Sequence, residues 1–220
     1  MKNIVIALFS VMFMLTVSGC KKKEGSAKDA KDAAGTTAEA VAYNVDTNSS
    51  VIEWTGSKQT GKHSGTVKLS SGTVFTKDDV VQSGNFTIDM NSIEVTDLKP
   101  EDGKADLEGH LKGTSVEGEA DHFFNVRKYP EAKFEITGIT MDKGKTMIEG
   151  NLTIKETTKN IKFAALVNME NNRLSIVSDT FVIDRTQWKV NYASKSVFAD
   201  LGDRFVNDEI EMRVVVKAMR

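Results

Sequence analysis

From residue 51 onward, apolar and polar positions alternate with a period of two, the mark of strands that bury one face. Ile52 and Trp54 alternate with Val51, Glu53 and Thr55; Val67 and Leu69 with Thr66 and Lys68; Phe86, Ile88 and Met90 with Asn85, Thr87 and Asp89. The same parity joins Phe134 with Ile136, Ile148 with Leu152 and Ile154, Ile161 with Phe163 and Ala165, Leu174 with Ile176, and Phe181 with Ile183. A last run carries Ile210, Met212, Val214, Val216 and Ala218 opposite Glu211, Arg213 and Lys217. Turn signals separate the runs at Ser71-Gly72, Asp142-Lys143-Gly144, Glu170-Asn171-Asn172 and Gly202-Asp203. The short connections favour antiparallel pairing. Both prolines, Pro100 and Pro130, fall outside the runs, where they interrupt no ladder.

Between Pro100 and Val126 the alternation lapses. Weak helical signals run from Asp106 to Leu111, and Asp121 is placed to cap a second short helix beginning at His122-Phe123-Phe124. The expectation is an all-β domain of about eight or nine antiparallel strands with one or two short inserted helices. Strands with one apolar face must hide it, in a sandwich or in a closed barrel. Periodicity alone does not separate the two.

The beginning of the chain follows a different rule. Met1, Lys2 and Asn3 form a short positive region, and residues 4–17 are apolar apart from Ser10 and Thr16. Those 14 residues fall short of the roughly 20 that a bilayer-spanning helix needs and suit the apolar core of an export signal. The segment closes with Val17-Ser18-Gly19-Cys20. Small residues before a lone cysteine resemble the lipobox of bacterial lipoproteins. That resemblance implies cleavage before Cys20 and lipidation of its thiol. Residues 21–42 then hold seven alanines, nine charges and no aromatic. Such a stretch buries too little apolar surface to offset its ordering entropy, and reads as a flexible tether with a coil reach of roughly 25 Å. The expected organisation is a signal peptide at 1–19, a lipidated cysteine and tether at 20–42, and a β domain at 43–220.

Composition narrows the function classes. Of 220 residues, 40% are hydrophobic and 27% charged, as in an ordinary globular protein. A single cysteine excludes an internal disulfide framework and cysteine-based zinc clusters. The tether and signal take six of the 29 basic and four of the 31 acidic residues, which leaves the β domain at −4. That balance argues against a nucleic-acid binder. The histidines, His63, His110 and His122, lack tight metal-ligand spacing, and no Gly-x-Ser-x-Gly elbow accompanies the serines. Neither a metal, a cofactor nor a catalytic group is expected.

A family resemblance covers nearly all of 43–218. It rests on Tyr43, Asp46, Trp54, His63 and Gly65, on NFTIDMNSI at 85–93, on His110-Leu111, and on DHFFNVRKYPEAKF at 121–134. It continues through Gly150-Asn151-Leu152-Thr153-Ile154, Thr157-Thr158-Lys159 and Phe181-Val182-Ile183-Asp184-Arg185. In these the chain closely resembles the YceI-like family. The resemblance implies an extended lipocalin-like antiparallel barrel, exported from the cytoplasm, that holds a long polyisoprenoid in an apolar tunnel. Three places depart from the family pattern: a longer link at 111–121, Glu156 in place of a turn glycine, and Gln187-Trp188-Lys189 in place of an aromatic-glycine pair.

On this reading the ligand is a polyisoprenoid or a quinone-like lipid, and the membrane is engaged through Cys20. The inward-facing candidates are Trp54, Phe86, Ile88, Met90, Phe134, Ile136, Leu152, Ile154, Phe163, Ile176 and Phe181. Periodicity gives their face but not whether they surround a cavity or fill a solid core. Asp184-Arg185 reads as a buried ion pair or turn anchor, His63 and His110 as a structural hydrogen bond or polar mouth, and Phe123, Phe124 and Tyr129-Pro130 as packing at one barrel end. The expected location is periplasmic or cell-surface, and two other functions fit the same pattern: a surface or periplasmic lipoprotein whose barrel is only an interaction scaffold, and an enzyme acting on a lipid. The oligomeric state is open, a homodimer included.

Overall fold

The computed structural model describes residues 27–116, 118 and 120–220. The expected signal peptide at 1–19, Cys20 and residues 21–26 lie outside the described residues. Nine of the strands are those that alternation marks: β3 (Val51–Lys58), β4 (Gly61–Lys77), β5 (Val80–Val95), β6 (Glu131–Asp142), β7 (Lys145–Ile154), β8 (Thr157–Glu170), β9 (Arg173–Ser178), β10 (Phe181–Asp184) and β11 (Glu209–Met219). Two more, β1 (Lys28–Asp29) and β2 (Val41–Val45), precede them.

All pairings are antiparallel, and the ladder closes. β3 pairs with β4, the order continues through β5, β6, β7, β8 and β9 to β11, and β11 returns to β3. That is a ring of eight strands. β2 continues β3's place beside β4 and β11, and β10 continues β9's place beside β11. Closure removes the exposed edges an open sheet would present.

Tight turns join neighbouring strands at one end of the barrel. Asp78-Asp79, Lys143-Gly144 and Asn171-Asn172 all take positive φ, the conformation that two-residue hairpins of matching twist require. Ser71-Gly72, expected as a turn, lies inside β4 instead, beside a register shift between Leu69 and Ser71. Gly72 serves close approach rather than reversal. A Cβ there would stand 2.8 Å from Val45 Cγ2 and 2.9 Å from Phe86 Cδ1.

The opposite end holds the long connections. Residues 96–130 contain a 3-10 turn at Pro100–Asp102 and one α-helix, α1 (Lys104–Lys112), which ends on Gly113 at φ +71°. Glu108 Oε1 accepts the Val95 backbone N–H at 2.9 Å and ties α1 to the end of β5. The second helix expected after Asp121 does not form. Asn125 adopts φ +47°, which stops helical propagation, and its side chain donates to Asp121 Oδ1 at 2.9 Å. Residues 185–208 close the rest of this end.

The segment expected as tether departs most from its composition. Residues 27–42 lie along the outside of the barrel and cross from β8 to β4. Lys28 and Asp29 pair with Asn160 and Lys159. Asn151 Oδ1 accepts the Lys31 N–H at 3.0 Å, and its Nδ2 donates to the Lys31 carbonyl at 2.6 Å. Ala34 N–H donates to the Ile136 carbonyl at 2.9 Å, next to a register shift in β6. Thr36 and Ser83 hydroxyls lie 2.6 Å apart. Hydrogen bonds, with Ala27 and Ala34 lying flat on the sheet, do what apolar burial was expected to be needed for.

The interior is solid at the tight-turn end. Tyr43, Val74, Val81, Ala165, Leu174 and Ala218 are all buried there. Toward the end with long connections, the same inward parity surrounds open space.

Candidate binding cavity

That space has a volume of about 680 Å³, inside the 300–1,000 Å³ range of small-ligand sites. All eleven inward-facing residues selected from the sequence line it: Trp54, Phe86, Ile88, Met90, Phe134, Ile136, Leu152, Ile154, Phe163, Ile176 and Phe181. They come from seven strands and meet because each inward side chain recurs at every second residue.

Four phenylalanines form a continuous aromatic path across the wall. Ring centroids are 6.2 Å apart for Phe86–Phe134, 5.8 Å for Phe134–Phe163 and 4.5 Å for Phe163–Phe181, the last pair stacked within 10°. Aliphatic side chains fill the intervals. Such a wall offers dispersion and water exclusion but little hydrogen bonding, so it suits hydrocarbon.

Polar groups gather at the end with the long connections. His63 lines the cavity and its Nδ1 lies 3.0 Å from Asp97 Oδ2, while Asp97 Oδ1 accepts the Ser64 N–H at 3.0 Å. Burial works against the Asp97 charge, but the Ser64 N–H and the His63 ring outweigh it and lower the Asp97 pKa. Lys58, Asp102, Asp106 and Arg204 complete the polar rim.

Arg185 lies deeper and is 2% exposed. Its guanidinium donates to the carbonyls of Asn207 (3.1 Å), Val190 (2.6 Å), Tyr192 (2.8 Å) and Val206 (3.0 Å). Its ion-pair partner is Asp208 at 3.5 Å. Burial lowers its pKa, and Asp208 and Asp184 oppose that shift. Asp184 accepts instead from Thr186 N–H (3.0 Å) and Thr186 Oγ1 (2.6 Å). The Asp184-Arg185 dipeptide is therefore a turn anchor, and the buried ion pair runs to Asp208. Its fork fastens two stretches of the 185–208 connection over the cavity.

Beside Arg185, His110 Nε2 lies 3.1 Å from His122 Nδ1. Tyr192 packs against both rings at centroid distances of 4.8 and 4.4 Å, and Phe123 packs on His110 at 5.1 Å. Phe123 and Phe124 also reach the cavity, so their packing at a barrel end includes part of the wall. Among the described residues no group of three or more His, Cys, Asp or Glu converges on a metal position.

Tyr192 carried no signal in the sequence, since it sits in an irregular connection, and Trp188 stood out only as a departure from the family pattern. Trp188 is fully buried, and its indole N–H donates to the Leu152 carbonyl at 2.8 Å. Ile210, Met212 and Val214 also line the cavity. Their parity was visible in the last run, but nothing there distinguished wall from filler.

Closed antiparallel strands around an apolar cavity with a polar rim define a lipocalin-like barrel. The chain belongs to the YceI-like domain family, which matches residues 43–218. Among solved structures it is similar to BcnA from Burkholderia cenocepacia, with 20% identity and a TM-score of 0.61, over 80% of this chain and 99% of that one. It is also similar to a polyisoprenoid-binding domain from Saccharophagus degradans implicated in plant cell wall breakdown, with 14% identity and a TM-score of 0.58, over 80% of this chain and 97% of that one. At these identities the likeness is one of fold. No curated protein matches the chain significantly.

Proposed function

We propose that this protein is an exported lipoprotein, held on a membrane through a lipidated Cys20, whose barrel carries the hydrocarbon chain of a polyisoprenoid such as a quinone or a polyprenyl phosphate. The observation that carries the reading is the apolar cavity of about 680 Å³. Membership of the YceI-like family supports it, as does the fold shared with a polyisoprenoid-binding domain. Each 100 Å² of ligand hydrocarbon withdrawn from water contributes roughly 2.5 kcal/mol, so a chain binds without charged contacts. An isoprenoid longer than the cavity leaves its remaining length and its head group at the rim, beside His63 and Arg204. The role is sequestration or transport rather than turnover.

The test is organic extraction of the native protein followed by mass spectrometry. Isoprenoid recovered in near-stoichiometric amount is the expected result; repeated absence of any isoprenoid contradicts the proposal. The anchor has its own test. Cys20→Ala is expected to move the protein from the membrane to the soluble fraction, and unchanged membrane fractionation contradicts lipidation.

A further inference from the structure

We infer that the cavity end of the barrel, with residues 113–116 and the 189–208 connection, is the face that rests on the lipid bilayer, so that the cavity opens toward the membrane. This rests on the anchor reading above. No helix among the described residues is long and apolar enough to cross a membrane. On the anchor reading, orientation depends on the link from Cys20 and on the protein surface that meets the lipid.

The covalent link decides between the two ends. Because residues 27–42 are bound along the barrel wall, only the stretch from Cys20 to Lys28 separates the anchor from the fold. Eight residues span roughly 16 Å as a coil and at most roughly 28 Å when fully extended. Lys28 pairs with Asn160 of β8. From Asn160, β8 reaches its cavity-end turn at Glu156 in four residues and its far end at Glu170 in ten. At about 3.4 Å per residue those distances are roughly 14 and 34 Å. The cavity end lies within reach of an ordinary coil. The far end, roughly 26 Å away along the axis of a barrel whose strands tilt by about 40°, is reached only by a link stretched close to its limit.

The surface at that end has apolar groups to offer. Val116, Val197 and Phe198 are 52, 45 and 49% exposed, and the cavity-lining residues Val190, Tyr192, Arg204 and Val206 belong to the same 189–208 connection as Val197 and Phe198. Lys195, whose ammonium lies 3.5 Å from the Phe205 ring centroid, flanks the pair. Asp200 and Asp203 share the loop, so attraction to anionic headgroups is not the basis; shallow insertion of Val197 and Phe198 is. The far end has exposed apolar groups as well, Val80 and Met141 among them. Exposure alone therefore does not choose an end, and the length of the link does. With the mouth on the bilayer, a hydrocarbon chain passes from acyl chains to the apolar wall without crossing bulk water.

The experiment uses the full-length lipidated protein, purified from the membrane and reconstituted in vesicles of phosphatidylethanolamine and phosphatidylglycerol. Val197→Cys and Met141→Cys each supply one labelling thiol, since Cys20 is the chain's single cysteine and, on the anchor reading, its sulfur is held in the thioether to the lipid. A fluorophore on each is quenched with a spin-labelled phospholipid. Quenching severalfold stronger at 197 than at 141 is expected. Equal quenching, or stronger quenching at 141, in protein that stays on the vesicles overturns the orientation and leaves the anchor standing. Protein that does not sediment with the vesicles overturns the anchor and this inference with it.

Discussion

Asn151 holds the peptide of Lys31 from both sides, accepting its N–H at 3.0 Å and donating to its carbonyl at 2.6 Å. One side-chain amide thus stands in for a β-bridge across 120 residues of sequence. The amide is fixed in turn, because Asn160 Nδ2 donates to Asn151 Oδ1 at 3.1 Å and to Thr137 Oγ1 at 3.0 Å. Asn151→Ala removes the clamp and leaves Asn160 short of an acceptor. The expected cost is about 1–3 kcal/mol, with faster amide exchange across residues 27–37 and little change in the barrel strands. Hydrogen exchange read by mass spectrometry checks it; unchanged protection of that segment contradicts the clamp.

Arg185→Lys is expected to be nearly as damaging as Arg185→Met. An ammonium has three donors and no planar fork, so it does not span carbonyls on residues 190, 192, 206 and 207 together. Leaving buried carbonyls and Asp208 unpaired costs about 3–5 kcal/mol. Urea unfolding gives the comparison, and a lysine variant near wild-type stability would show that charge alone suffices.

The solid and hollow parts of the interior separate stability from loading. Leu174→Ala, in the filled end, is expected to cost about 2–5 kcal/mol and to leave the lipid content of the folded protein unchanged. Ile88→Trp, on the cavity wall, adds bulk into open space, so it is expected to cost less than the roughly 1–3 kcal/mol of overpacking a solid core while sharply reducing bound lipid. Denaturation midpoints and lipid content measured on the same samples decide; full loading of Ile88→Trp contradicts the cavity's role.

Asp121 titrates below the ordinary carboxylate range, first because the Asn125 amide donates to it and then because Lys155 lies nearby. A depressed folded pKa contributes stability that is present above the unfolded value and is lost as pH falls through the folded value. Acid is therefore expected to loosen the contact between residues 121–125 and the β7–β8 turn. The Asp121 carboxyl should titrate at higher pH in Asn125→Ala, a shift read by NMR; an unchanged midpoint contradicts the assignment.

The barrel was legible because one-sided burial imprints parity. Phe86, Phe134, Phe163 and Phe181 declared a common face from four separate runs, and the structure brings them into one path. Hollowness was not legible, because Leu174 in the plug and Ile176 on the wall share parity and chemistry. The turn expected at Ser71-Gly72 failed for a local reason: a glycine that admits Val45 and Phe86 carries the same letter as one that reverses the chain. The docked stretch at 27–42 was hidden because its partners are an amide, a hydroxyl and a bulge carbonyl, none of which hydrophobic patterning detects. Tyr192 and the His110–His122 pair meet only through the folding of irregular connections, where no period exists to read.

The same docked stretch bears on the order in which the molecule is made. Ribosomes deliver residues 28–34 before any strand of the ring exists, yet their partners, Ile136, Asn151 and Asn160, emerge more than a hundred residues later. Loops that long close late. This early stretch is therefore expected to settle last. It then fastens the outside of a ring already shut, and local opening is expected to release it first.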